Sequence, residues 1–203
     1  IEKLLDTHAR SPSMQASMLA TTDTTGLQRG VYTRAELERL IAPRSIAIVG
    51  ASPRAGSFGL RTLENLAHFR GAIWPVNAKY ENIGERTCYP SLAALPGKPD
   101  LVALVVPREG VEAALTAAAA AGAGGVVVYA SGYGEMGPEE GGAAQRRLAG
   151  IARAARMPLL GPNCMGLVNH ALGVGVSFIP EYSKMPRTLG PIAFVSQSGA
   201  LGY

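Results

Sequence analysis

Five short apolar runs recur along the chain with almost no polar interruption: SIAIV at 45–49, AIWPV at 72–76, LVALVV at 101–106, GVVVYA at 125–130 and MPLL at 157–160. A strand that is apolar at every position has no face suited to water, so both of its faces must be covered. Segments with helical spacing lie between the runs. Continuous strands alternating with helices predict a parallel sheet with helices on both sides. Right-handed crossovers then lead us to expect a doubly wound α/β fold with its strands in the order 3-2-1-4-5.

The helical segments carry their own punctuation. TRAELERLI opens after Thr33, which has Glu36 three residues on, a capping-box pattern, and Pro43 closes it. A second helix starts near Ser57 and sets Leu60, Leu63 and Ala67 on one face. A third sets Val111, Ala114, Leu115 and Ala118 together and ends at Gly122. A fourth opens on Pro138, Glu139 and Glu140, acidic where the helix dipole favours it, and continues through Leu148, Ile151 and Ala155. SLAALP at 91–96 reads as a short helical piece, and the apolar LGVGVSFIP at 172–180 as a connecting strand.

Three regions follow. Residues 1–32 are polar and rich in Ser and Thr, with no sustained period, and read as an N-terminal extension. Residues 33–180 form the α/β domain. GPIAFVSQSGALGY at 190–203 is a further strand, a loop of small residues and a helix start, which reads as the beginning of a second α/β domain.

Composition narrows the function classes. With 47% hydrophobic and 17% charged residues the chain can bury a substantial core. No apolar run approaches the ~20 residues needed to span a bilayer, and the opening IEKLLDTHAR lacks the form of a secretory signal. Two cysteines, Cys88 and Cys164, make no disulfide framework, so a reducing cytoplasm is the expected setting. The net charge of +4 and pI near 9.3 are compatible with an anionic ligand. The basic residues are scattered without interleaved aromatics, which argues against a nucleic-acid surface.

In an open parallel sheet, ligands bind beyond the carboxyl ends of the strands where strand order reverses. For the expected order that point falls between the first and fourth runs, at the loops GASPRAG (50–56) and ASGYGEMG (130–137). Gly50 permits a tight exit from the strand, and Gly56 and Gly59 permit close backbone approach. Ser52 adds a hydroxyl, Arg54 a positive charge, and the helix starting near Ser57 its unpaired N–H groups. These features point first to a phosphate; the alternative is a tight strand–helix turn that holds nothing. A dinucleotide fold wants GxGxxG and an acid after the second strand. Here that strand is followed by Asn77 and Lys79, which disfavours NAD and suits further phosphate.

Elsewhere the chemistry is sparse. LLGPNCMGLVN at 159–169 puts Asn163 and Cys164 at a loop tip, but no His or Asp stands in a recognisable relation to Cys164, so it reads as structural. His8, His68 and His170 have no metal-ligand spacing and no position suited to a general base. SQSG at 196–199 repeats the strand–loop–helix logic and is open to the same two readings, an oxyanion site or a capped turn.

Taken in order, PRSIAIVGAS, PVNAKY, CYPSLAALPGKPDLVALVVP, VVVYASGYGE, LLGPNCMGLVN and VSQSGALGY resemble the N-terminal CoA-binding domain of the ADP-forming acyl-CoA synthetases, which also opens the succinyl-CoA synthetase α subunit. The resemblance runs from about Leu40 to Tyr203 and implies a Rossmann-like CoA-binding fold followed by a flavodoxin-like domain. By position it implies CoA contacts at Gly50, Ser52, Pro53, Arg54, Ala55, Gly56, Lys79, Val106, Pro107 and Arg108, although the family more often has a small residue where Arg108 stands. Ser131 and Gly132 match the pantetheine path, and Asn163, Ser196, Ser198, Gly199 and Tyr203 match the phosphate and acyl site. The implied enzyme is an acid–CoA ligase that interconverts acyl-CoA, ADP and phosphate with acid, CoA and ATP through a phosphohistidine beyond Tyr203. Its ATP/ADP and Mg site lies in an ATP-grasp module in the same chain or a partner subunit, within a homo-oligomer. This stretch alone would bind CoA and catalyse nothing. Two other readings share the motifs: an acyl-CoA-sensing domain of a protein acetyltransferase fusion, and a free-standing CoA- or nucleotide-binding protein.

Overall fold

The computed structural model describes residues 32–180 and 182–184 of the chain. Residues 1–31 of the expected 1–32 extension and the expected second domain at 190–203, with Ser196, Ser198, Gly199 and Tyr203, lie outside the described residues. Each of the five strands expected from the apolar runs is present: β1 (Ser45–Val49), β2 (Ala72–Val76), β5 (Leu101–Leu104), β6 (Gly125–Val128) and β7 (Leu159–Leu160). Between β2 and β5 lie a small hairpin, β3 (Asn82–Ile83) and β4 (Arg86–Thr87), and a 3-10 turn at Leu92–Ala94 within SLAALP.

The five long-range strands form one parallel sheet, in the order β2-β1-β5-β6-β7. The expected order is therefore corrected: in terms of the five runs it is 2-1-3-4-5, the third lying beside the first instead of beyond the second. Two features explain this. Pro75 has no N–H to give a ladder, which suits an edge strand and not the central place the other order would assign to β2. Its carbonyl instead faces outward and accepts from the Tyr89 amide at 2.8 Å. At the other side of β1, the Asp100 carboxylate accepts from the Arg44 amide at 2.9 Å while Ser45 Oγ accepts from the Asp100 amide at 3.0 Å, clamping the start of β5 to the start of β1.

The strand alternation divides the core into two layers. Ile46, Ile48, Leu101, Ala103 and Val127 face one side, under Leu63 and Leu66 and the strand residues Val174 and Val176. Ala47, Val102, Leu104, Val126 and Val128 face the other, under Val111, Leu115, Ala118 and Leu148. All ten of these sheet positions are buried, and burying each large side chain contributes about 1.5–3 kcal/mol.

Helix α1 (Arg34–Ile41) carries the complete capping box between Thr33 and Glu36. Helix α2 (Phe58–Asn65) is capped by Ser57, whose Oγ accepts from the Leu60 amide at 3.2 Å. It is shorter than its apolar spacing suggests: Ala67 lies past its end and is exposed, and the polar Thr62 and Asn65 take buried places instead. Helices α3 (Arg108–Ala120) and α4 (Glu140–Ala154) cover the opposite face. Ala155 at the end of α4 is exposed, and Ala144 and Ala152 join Leu148 as its buried positions. The 172–180 stretch does supply a strand: β9 (Val174–Ser177) pairs antiparallel with β8 (Gly166–Asn169) in a hairpin against α2.

Candidate functional site

Because β1 leads to β2 on one side and the chain then crosses to β5 on the other, strand order reverses between β1 and β5. The crevice is therefore bounded by the loop after β1 and by Val105–Pro107 after β5. The loop after β6 is one strand further out than the expected order implied. Gly50 sits at the centre, with φ +87°, and a Cβ there would stand 2.3 Å from the Val105 carbonyl oxygen. No side chain fits, because the two nearest atoms belong to the Val105 backbone and cannot swing aside. Gly59 brings α2 close as well: its Cβ would lie 2.9 Å from Ala51 Cα. Gly56 differs from expectation. Its φ of +74° shapes the turn, while the nearest atom to a Cβ is the end of the Arg61 side chain at 3.9 Å, so it permits a conformation and not a close approach.

The turn is fastened internally. Ser52 Oγ accepts from the Arg54 amide at 3.2 Å, Ser57 Oγ donates to the Ser52 carbonyl at 3.3 Å, and the Ser57 amide donates to the Arg54 carbonyl at 3.1 Å. The Asn77 amide group donates to the Ala51 carbonyl at 2.7 Å, and its Oδ1 accepts from the Lys79 amide at 3.0 Å. Asn77 thus ties the loop after β2 to the loop after β1.

Two clefts flank this turn. One, of about 720 Å³, lies on the β2 side and is walled by Val49, Val76, Asn77, Lys79, Tyr80, Leu92 and, from α3, Ala114 and Ala117. The other, of about 640 Å³, lies on the β6 side and is walled by Gly56, Ser57, Phe58, Arg108, Tyr129, Ala130 and Ser131. Gly50, Ser52, Arg54, Val105, Val106 and Pro107 border both. The clefts are thus one continuous trough crossed by the glycine turn. Arg54 and Lys79 are exposed, and neither makes an ion pair among the described residues. The Phe58 and Gly59 amides in the first turn of α2 have no partner among those residues either.

The remaining expected residues divide. Pro53 and Ala55 are exposed in the turn and border neither cleft. Arg108 borders the β6-side cleft, but its guanidinium lies 5.7 Å from the Tyr133 ring centre and 3.8 Å from Glu140 Oε1. Gly132 lies under the Arg108 stem, with φ +97°, and donates its N–H to Glu135 Oε1 at 2.5 Å. Asn163 is exposed, with φ +54°, and its amide donates to the Ala130 carbonyl at 2.9 Å, which folds the GPNC loop back over the end of β6. Cys164 Sγ donates to the Val128 carbonyl at 3.4 Å, and burial pushes its thiol pKa up, as a structural cysteine requires. Among the described residues no cluster of His, Cys, Asp or Glu could hold a metal ion, and no helix is long and apolar enough to cross a membrane.

Phe58 and Tyr129 escaped the sequence reasoning. Tyr129 reads as the end of an apolar run and Phe58 as one more helix residue. Burial drives the Tyr129 phenol far above its usual range, so it serves here as a neutral hydrogen-bonding group.

Comparison with known proteins agrees with this geometry. The chain is 37% identical over 164 residues to the ADP-forming acetate–CoA ligase I of Archaeoglobus fulgidus, covering 81% of this chain and 23% of that protein. It is 36% identical over 167 residues to the α subunit of the ADP-forming acetate–CoA ligase II of Pyrococcus furiosus, covering 82% and 35%, and 36% identical over 173 residues to a trans-feruloyl-CoA synthase from an unknown prokaryotic organism, covering 84% and 24%. The chain therefore spans about a quarter to a third of the length of these relatives. Among solved structures, the dinucleotide-forming acetyl-coenzyme A synthetase 1 of Ca. Korarchaeum cryptofilum, in complex with phosphate and ADP, superposes with a TM-score of 0.71 at 34% identity, over 82% of this chain and 35% of that one. The family model described as a CoA binding domain matches residues 44–170, well over half of the sequence. On that match the chain belongs to the CoA-binding domain family.

Proposed function

We propose that this chain is the CoA-binding portion of an ADP-forming acid–CoA ligase, and that CoA lies along the trough with its diphosphate at the Gly50–Gly56 turn. The observation that carries the reading is the pair of exposed cations, Arg54 and Lys79, flanking a glycine turn backed by the Phe58 and Gly59 amides, none of which has a partner among the described residues. That donor set fits phosphates. Lys79, on the β2 side, suits the adenosine 3′-phosphate, and Ser52 and Arg54 the diphosphate. Val106 and Pro107 bound the middle of the trough, and Ser131 and Gly132 stand toward the thiol end. Arg108 contributes charge at the β6 side while already engaged with Glu140, and Pro53 and Ala55 set the shape of the turn.

The rest of the reading rests on the resemblance and on the relatives' names. Asn163, with Ser196, Ser198, Gly199 and Tyr203, would border the phosphate and acyl site. A relay histidine and an ATP-grasp module holding ATP/ADP and Mg would lie outside this chain, in one polypeptide with it or in a partner subunit, within a cytoplasmic homo-oligomer. A carboxylic acid is the second substrate. Relatives named for acetate and for trans-ferulate show that the family's acids differ widely in size.

Calorimetric titration tests the reading. CoA binds this chain, NAD does not, and Arg54→Glu weakens CoA at least about ten-fold, or 1.4 kcal/mol. Equal binding of NAD, or an Arg54→Glu variant with unchanged CoA affinity, overturns it.

A further inference from the structure

Phe58 is the one aromatic residue among the large exposed apolar side chains of the described residues, at 45% accessibility, and it borders the β6-side cleft. It is held in place from several directions. Its ring stacks on Phe178, with centroids 4.2 Å apart and planes 15° from parallel. Phe178 in turn meets Tyr129 edge-on at 5.1 Å. The Thr62 hydroxyl donates to the Phe58 carbonyl at 2.8 Å. A hydroxyl has one hydrogen, so Thr62 Oγ1 is the acceptor in its 3.2 Å contact with Tyr129, and the Tyr129 phenol is the donor. Buried Asn65 donates to the carbonyls of Ser177 and Ile179, both at 2.8 Å, which fixes the backbone on either side of Phe178.

An aromatic ring this constrained yet half open to water is not accounted for by core packing, where a phenylalanine is ordinarily covered. Two arms of the trough differ in the same sense as the two halves of CoA. The β2-side arm holds Lys79, and the β6-side arm holds this aromatic face, its cation Arg108 being drawn to Tyr133 and Glu140. CoA carries its phosphates on the adenosine half, while the pantetheine half is neutral, with a gem-dimethyl group and methylenes. We infer that Phe58, backed by Phe178, is the wall on which the pantetheine arm packs, and that this contact supplies a distinct share of CoA affinity. The inference rests on the reading that CoA lies along the trough. Phe58 is the contact residue; Phe178, Thr62 and Asn65 position it.

The test compares CoA with adenosine 3′,5′-bisphosphate, which keeps the base and phosphates but lacks the arm, by titration of the full chain. Phe58→Ala weakens CoA about ten-fold and leaves adenosine 3′,5′-bisphosphate within about two-fold of wild type. Phe58→Tyr keeps a stackable ring and retains CoA affinity, and Phe178→Ala repeats the selective loss in part. Far-UV circular dichroism and thermal melts of each variant show that it is folded; Phe58→Leu replaces any alanine variant that is not. Equal weakening of both ligands would assign the ring to the base or to the turn and overturn the proposal, as would no weakening of either. If the wild-type chain binds neither ligand, the CoA reading itself falls; if it binds both and only the Phe58 variants behave unselectively, the wall alone falls.

Discussion

Replacing Asn65 by alanine withdraws the two N–H groups that hold the Ser177 and Ile179 carbonyls at 2.8 Å. Asn65, Ser177 and Ile179 are all buried, so water does not readily take over. Leaving each carbonyl without its partner costs about 1–1.5 kcal/mol, giving about 2–3 kcal/mol in total. At about 2–4 °C per kcal/mol for a domain of this size, the melting temperature falls by about 4–12 °C. Asparagine to aspartate is more informative. An ionised carboxylate would face two carbonyl oxygens with nothing to donate, whereas the protonated acid donates one hydrogen bond. The folded state then binds the proton more tightly than the unfolded chain, whose carboxyl titrates near 3.9, so its pKa is raised on folding. Stability owed to that proton is present below about pH 4 and is lost as pH rises through the raised value. Thermal melts followed by circular dichroism should therefore show Asn65→Asp close to Asn65→Ala near pH 4 and clearly below it at pH 7. An alanine variant within about 0.5 kcal/mol of wild type, or an aspartate variant that gains on Asn65→Ala as pH rises, would refute the clamp.

Gly50→Ala places a methyl group 2.3 Å from the Val105 carbonyl oxygen at φ +87°; it costs about 3 kcal/mol or more in a denaturant titration and disturbs the turn that CoA would use. Lys79→Ala weakens CoA about five-fold but leaves dephospho-CoA unchanged in parallel titrations, because only CoA carries the 3′-phosphate that Lys79 would meet. For Asp100, burial alone would raise the carboxyl pKa, but hydrogen bonds from the Arg39 side chain and the Arg44 amide outweigh it and hold it below the usual range. A lowered folded pKa means a contribution present above about pH 4 and lost as pH falls through the lowered value. Asp100→Asn, measured by chemical denaturation, should thus cost about 1–2 kcal/mol at pH 7, with the gap to wild type closing in acid.

The strands were legible because each apolar run had to be buried on both faces, and α1 because Thr33 and Glu36 form a cap within four residues. Strand order was harder to read. The alternation of elements allows several right-handed windings, and the deciding signals were single residues: Pro75, which fits an edge, and Asp100, which joins two strand starts 55 residues apart in sequence. Gly50, Arg54 and Lys79 could be read because a turn of this geometry tolerates few alternatives and charges beside it invite a phosphate. Arg108 looked like a cleft cation, and its engagement with Tyr133 and Glu140 depends on how α4 begins. The Phe58–Phe178 stack was invisible in one dimension. Its partners are far apart in the chain, and the hairpin that joins them depends on Asn65, a buried polar residue that the helical spacing of Leu60, Leu63 and Ala67 leaves off the apolar face.

The most direct test of the account is a crystal structure of this chain with CoA. The account places the diphosphate on the Gly50–Gly56 turn, the 3′-phosphate within reach of Lys79 and the pantetheine arm across Phe58. CoA bound away from the β1–β5 crevice, or lying in it with the adenosine toward Phe58 and the thiol toward Lys79, would contradict it.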